Sequence, residues 1–307
     1  MNLQNVPRGD TSNVKKMFKS RHGELGRMAE IDYSQLEVVI QGVLSNDTNL
    51  CQDLRDRVDF HCKRLSAKLG EDYQYVWDKC HVEEDPVYKK GRTGAKIFSF
   101  QRAYGAGADT IASETGMPRS EVDALIAAED VLYPMVKTFD QRLEADINAS
   151  RIPTANKLFI EGVAFTQGEA HWDSPTGTRY VWREGIAPEF LHAKGKYTGF
   201  SPTERKNYPM QGFGGEVVQT MMGVLWRHML ENDHYDNQIR LVNTVHDCFW
   251  FDATNEKVLA DAIPELLKII ESVPEVFNKA FDTLDITVPF PAEAEMGSDM
   301  FTMEVVH

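Results

Sequence analysis

Asp32 closes the short run Met28-Ala-Glu-Ile-Asp32, and Asp247 lies inside Ile239 to Phe251, where apolar and polar residues alternate. A two-residue period marks strands, so both aspartates fall at strand ends. Paired carboxylates there are what two-metal phosphoryl transfer requires: hard oxygen ligands that hold cations about 4 Å apart against phosphate oxygens. Aspartate at a strand end also serves local turn hydrogen bonding, so spacing alone leaves both readings open. A second pattern adds to the first. Arg92, Lys96, Phe100 and Tyr104 recur at every fourth position and share one slowly rotating helix face about 18 Å long. Two cations, an aromatic, and then an aromatic beside Gly105 match the order of a nucleotide from triphosphate through sugar to base. A plain amphipathic helix, with core aromatics and solvated cations, has the same spacing.

The elements that position these residues are legible in outline. Residues 28–32 read as a strand, and Ser34-Gln35-Leu36-Glu37 has the form of a capping box opening an apolar helix to about Leu44. Asp85 and Pro86 have the N-cap and first-turn chemistry of a second helix that runs to Gly105 and Gly107. Residues 118–149 are helical in period, with a break at Tyr133-Pro134. Phe159 to Trp182 turns β-like around a Ser174–Gly177 turn. The 239–251 run predicts a hairpin that exposes His246-Asp247. Glu256 to Phe281 predicts an amphipathic helix, and Val288-Pro-Phe-Pro a terminal edge strand. Strands at both ends with helices between imply a sheet built from distant parts of the chain, with the middle inserted.

At 307 residues and 42% hydrophobic, the chain can bury one large core or two modest ones. A net charge of −14 argues against phosphate binding by the chain as a whole. Its distribution argues otherwise, because Lys15, Lys16, Lys19 and Arg21, and then Lys89 to Arg102, gather the positive charge, whereas Asp252 to Glu304 is acidic. Cys51, Cys62, Cys80 and Cys248 form no C-x-x-C pair and read as free thiols in a reducing compartment. Cys80 next to His81 has zinc-site donor types, but two adjacent ligands without a second pair do not make a site. No run of about 18 apolar residues appears, and the amino terminus lacks a signal layout. The expectation is a cytoplasmic protein (host cytoplasm if phage-encoded) with no membrane partner.

Asp32-Tyr-Ser-Gln-Leu-Glu37 resembles motif A of family A, DNA-polymerase-I-like DNA polymerases; Arg92…Lys96…Phe100…Tyr104-Gly105 is similar to motif B, and Val245-His246-Asp247 to motif C. Asn2-Leu-Gln-Asn-Val-Pro7, Asp59-Phe-His61, Tyr133-Pro134, Thr176-Gly-Thr-Arg179, Asn207-Tyr-Pro-Met-Gln-Gly212 and the ending from Val288 to His307 follow in order, so the resemblance spans essentially the whole chain. It implies an α+β fold: an antiparallel palm sheet backed by helices, from residues 1–42 and 201–307, with mainly α-helical fingers, 43–200, inserted. It implies template-directed addition of deoxynucleotides to a primer 3′-hydroxyl on primer–template DNA. Asp32 and Asp247 would hold two Mg²⁺ ions, with Mn²⁺ a substitute. Arg92, Lys96 and His61 would hold the phosphates, with Lys96 also the acid toward pyrophosphate. Phe100 would pack on the sugar, and Gln35 and Glu37 would contact the nucleotide, Glu37 crowding a ribose 2′-hydroxyl. Tyr104 and Gly105 would meet the template base, and Asn207, Gln211 and His246 the primer–template.

The chain departs from the family pattern in places. Cys248 stands where a carboxylate follows the motif C aspartate, Val39 stands where motif A continues to arginine, and the interval from His61 to Arg92 is longer. Nothing in the sequence matches a thumb or a 3′–5′ exonuclease, which implies a separate polypeptide supplying both. Two rival readings remain: a non-catalytic nucleic-acid-binding replisome subunit, motivated by Cys248, and an RNA polymerase on the same palm, disfavoured by Glu37.

Overall fold

Ala29, Ile31 and Tyr33 are buried while Glu30 and Asp32 between them are only half covered, and this alternation makes residues 27–33 the organising strand of the molecule. The computed structural model describes residues 13–103 and 106–306, with the backbone alone at Phe100, Ala103 and Phe190. Strand β1 (Arg27–Tyr33) is followed by helices α1 (Leu36–Ser45), α2 (Thr48–Arg55), α3 (Phe60–Leu69), α4 (Tyr73–His81), α5 (Pro86–Ala103), α6 (Ala108–Thr115), α7 (Arg119–Leu132) and α8 (Pro134–Ala149). Then come β2 (Ile152–Ile160), β3 (Val163–Asp173), β4 (Arg179–Arg183), β5 (Gly185–Ile186), α9 (Glu189–His192), β6 (Thr198–Gly199) and α10 (Pro202–Glu231). The chain continues through α11 (Asp233–Asn237), β7 (Ile239–Val245), β8 (Cys248–Ala253), α12 (Glu256–Glu271), α13 (Val273–Ala280), β9 (Ala292–Gly297) and β10 (Met303–Val305).

Two units result: residues 1–36 with 214–307, and residues 37–213. In the first, β10-β9-β1-β8-β7 form an antiparallel sheet, so β1 pairs with strands more than two hundred residues away, as in Arg27 opposite Ala253 and Met28 opposite Gly297. Ala29, Ile31, Phe249 and Phe251 meet Leu259, Ile263, Leu266 and Ile270 of α12 in its core. The Tyr33 hydroxyl ties the two layers by donating to the Ile270 carbonyl at 2.8 Å. The second unit holds helices α2 to α9 and the antiparallel sheet β2-β3-β4. The fold is α+β.

Several expected elements form for the expected reasons. Asp85 caps α5, its Oδ1 accepting from the Val87 amide at 2.8 Å, and Tyr133 interrupts the helices on either side of it. Three expectations need correction. Ser34 does not cap α1 as the first member of a capping box, because Gln35, which would be the first helical residue, is left-handed at φ 57°. Residues 288–291 are not a strand, since Pro289 and Pro291 lack the N–H groups a ladder needs; β9 beside β1 and β10 at the edge take that role. The helix expected over 256–281 is two, parted at Ser272 before Val273-Pro274.

Candidate active site

Antiparallel register brings the two aspartates together in the first unit. Asp32 lies opposite Cys248 on β8, the residue after Asp247, and the Tyr33 amide meets the Asp247 carbonyl at 3.5 Å. The two-residue turn that carries Asp247 is closed by His246 at φ 57°, a conformation histidine tolerates better than bulky or β-branched residues do. Ile31 and Tyr33 anchor the core face, so the residues between them point to the other face. Asp32 lies opposite Glu293 on β9, and Glu30 lies opposite Glu295, so these carboxylates share one face. Like charges placed opposite each other across strands repel. Carboxylate oxygens are the donors that hard divalent cations take. Only Asp32 and Asp247 were singled out by sequence; Glu30, Glu293 and Glu295 join them through pairing that no local pattern reveals.

Cys248 is fully buried, and its thiol donates to the Val245 carbonyl at 2.9 Å. Burial, and then the carboxylates of Glu30 and Asp32, push its ionisation far up, so it brings no negative charge to this face. Behind it, Met28 and Trp250 complete a small apolar cluster. Val39, the other departure in motif A, is a core residue of α1.

In the second unit, His61 lies in the first turn of α3 and Arg92 on α5. Asp59 joins the two helices. Its Oδ1 accepts from the His61 and Cys62 amides at 2.9 and 3.0 Å, and its Oδ2 accepts from Arg92 Nε at 2.9 Å and a terminal guanidinium nitrogen at 2.8 Å. Burial raises the Asp59 pKa, but the Cys62 amide and Arg92 outweigh it and hold the carboxyl at about 2. His61 is pushed down to about 4, by burial first and then by the positive field of Arg64, Arg92 and Lys96, with Asp59 opposing. His61, Arg92 and Lys96 thus share one electrostatic environment. Arg64, buried and paired with Glu129 at 2.9 Å, adds to it, and sequence patterning gave no sign of that pair. Lys96 is exposed one turn beyond Arg92.

Phe100 continues the α5 face by backbone position, while Tyr104, Gly105 and the Asn2–Pro7 motif lie outside the described residues. Gln35 is exposed at the start of α1 and Glu37 half-buried in its first turn. Asn207 and Gln211 lie one turn apart on α10, Gln211 exposed and Asn207 half-buried with its Oδ1 lacking a hydrogen-bond partner among the described residues.

Comparison with known proteins places this arrangement. The fold resembles the "POL domain of Pol1 from M. smegmatis complex with DNA primer-template and dNTP", with a TM-score of 0.65, 17% identity, and coverage of 98% of this chain and 45% of that one. DNA polymerase I of Pseudomonas aeruginosa is 25% identical over 97% of this chain and 27% of its own length. The thermostable DNA polymerase I of Thermus aquaticus is 24% identical over 97% and 30% respectively, and the DNA polymerase of Mycobacterium phage D29 is 29% identical over 46% and 21%. The sequence model of DNA polymerase family A matches residues 1–301. The chain belongs to DNA polymerase family A, and it spans less than a third of the length of these curated relatives. Among the described residues no helix is long and apolar enough to cross a membrane.

Proposed function

We propose that this chain is the palm-and-fingers portion of a DNA-directed DNA polymerase, with the unit holding β1, β7 and β8 as palm and the unit holding α3 and α5 as fingers. The observation that carries the reading is the strand register that sets Asp32 beside the turn bearing Asp247, in a chain of this family. Asp32 and Asp247 would hold divalent cations, Mg²⁺ or in its place Mn²⁺, which when bound supply charge neutralisation at phosphate oxygens and acidify the primer 3′-hydroxyl.

The chain's own residues do the rest. Arg92, held by Asp59 from one side, offers its guanidinium as a fixed phosphate ligand, and Lys96 one turn on is a point charge and proton donor toward leaving pyrophosphate. His61 adds a ring at the same cationic locus. Phe100 takes the sugar, Tyr104 and Gly105 the templating base, and Gln35 and Glu37 the nucleotide, Glu37 excluding a 2′-hydroxyl. Asn207, Gln211 and His246 contact primer–template DNA. Fingers closure on a matched deoxynucleotide selects it by assembling the site.

Primer extension with Mg²⁺ and four deoxynucleotides tests this, comparing the chain, its Asp247→Ala variant, and the chain with source extract. Extension that vanishes in the variant supports the reading. Extension only with extract, still dependent on Asp247, supports the expected separate polypeptide bearing thumb and exonuclease. One observation favours the second reading, a non-catalytic nucleic-acid-binding subunit: the uncharged Cys248 in place of an acid. DNA binding without extension under any condition would select it.

A further inference from the structure

The longer interval between His61 and Arg92 contains α4, which packs against α3 and carries buried Cys80 and exposed His81. Asp59, Cys62 and His81 offer ligand atoms that all lie within 4.8 Å of one another. Cys62 Sγ is 3.7 Å from His81 Nε2, which is 3.0 Å from Asp59 Oδ2. Cys80, also buried, packs beside Cys62 in the same apolar cluster. We propose that Asp59, Cys62 and His81 form a site for a thiophilic divalent cation of the Zn²⁺ class, with water as the fourth ligand, which fastens α4 to α3.

Geometry, donor type and charge agree on this. Zinc distances of about 2.3 Å to sulfur and about 2.0–2.2 Å to nitrogen and oxygen set tetrahedral edges of roughly 3.6 Å for S···N and roughly 3.3 Å for N···O. The observed 3.7 and 3.0 Å lie close to both. One thiolate and one carboxylate balance a dication beside a neutral imidazole. The Arg92 guanidinium, bound to Asp59 at 2.8 and 2.9 Å, holds that carboxylate in place. The Trp77 ring lies 4.9 Å from the His81 ring and covers it. The donors are Asp59-x-x-Cys62 at the start of α3 and His81 at the end of α4. The site lies within the second unit, and Arg92 connects it to the proposed phosphate ligands.

Metal analysis of the full chain, purified without chelator from zinc-supplemented cells, tests the proposal alongside Co²⁺ substitution. About one zinc per chain is expected, and Co²⁺ gives the thiolate charge-transfer and visible bands of a tetrahedral site. Cys62→Ser and His81→Asn each weaken Co²⁺ binding by more than the roughly 10–100-fold that loss of an outer-shell partner costs. Cys51→Ser, on a buried thiol elsewhere, leaves it unchanged. His81 is partly exposed, so its variant keeps the test valid if Cys62→Ser fails to fold. Absence of zinc together with absence of the cobalt charge-transfer band overturns the proposal. So do cobalt bands indifferent to both variants, or a Cys62–Cys80 disulfide in the isolated chain.

Discussion

Three of the four glycines on α10 allow a substitution whose sign, not only its size, depends on tertiary contact. A methyl group at Gly212 would lie 2.2 Å from Tyr180 Cε1 and 2.5 Å from its Cζ and hydroxyl oxygen, whereas at Gly215 the nearest neighbours, like those at Gly223, lie beyond 4 Å. Carbon atoms pack at about 3.5–4.0 Å, so the Tyr180 ring must retreat by more than about 1 Å. Its retreat is resisted. Tyr180 is paired with Trp172 across β3 and β4, and the two rings are stacked at 6.1 Å. Overpacking of this kind costs about 1–3 kcal/mol, and the helix gains about 1 kcal/mol when glycine becomes alanine. Gly212→Ala is therefore expected to destabilise by up to about 2 kcal/mol, and Gly223→Ala to stabilise by up to about 1 kcal/mol. Urea denaturation of both single variants, repeated in a Tyr180→Ala background, separates the contributions. Removing the ring should turn Gly212→Ala stabilising. Equal effects at positions 212 and 223, or a cost at 212 that persists without Tyr180, would refute the packing argument. Gln211 precedes this contact, so primer extension by Gly212→Ala also reports whether the helix has shifted.

Restoring the family carboxylate by Cys248→Glu places a charge at a fully buried position beside Glu30 and Asp32, and is expected to lower metal-free stability by about 3 kcal/mol. Thermal melts with and without Mg²⁺ check this, and a stabilised metal-free variant contradicts it. Glu184 receives both Arg151 nitrogens at 2.7 Å and the Gly168 amide at 2.6 Å. Arg151 lowers its pKa, burial opposes, and the Gly168 amide lowers it further. A depressed carboxyl pKa stabilises above the unfolded value and loses that contribution as pH falls through the folded one. Glu184→Gln should cost about 1–3 kcal/mol at neutral pH, and the gap to the parent chain should close as pH falls below 4.5; a gap constant with pH speaks against the ion pair. Under the polymerase reading, Glu37→Ala should raise ribonucleotide incorporation by roughly 10–200-fold in single-nucleotide extension, and unchanged selectivity removes Glu37 from nucleotide selection.

Local chemistry was enough to recognise strand β1, the hairpin at His246-Asp247, the Asp85 cap of α5 and the break at Tyr133, because each depends on neighbours a few residues away. Motif spacing carried the α+β class and the family. Local pattern misread Ser34 and Val288–Pro291, where a left-handed Gln35 and two absent proline donors override the sequence signal. What only the tertiary structure decided depends on partners distant in sequence. Register across β1, β8 and β9 put Glu30, Glu293 and Glu295 on the face of Asp32 and buried Cys248 uncharged beside them. Packing of α4 on α3 brought Cys62 together with Asp59 and His81, which no local spacing shows. Such contacts are selected by the burial of whole faces, and a side chain's distant neighbours leave no periodic trace in the chain that carries it.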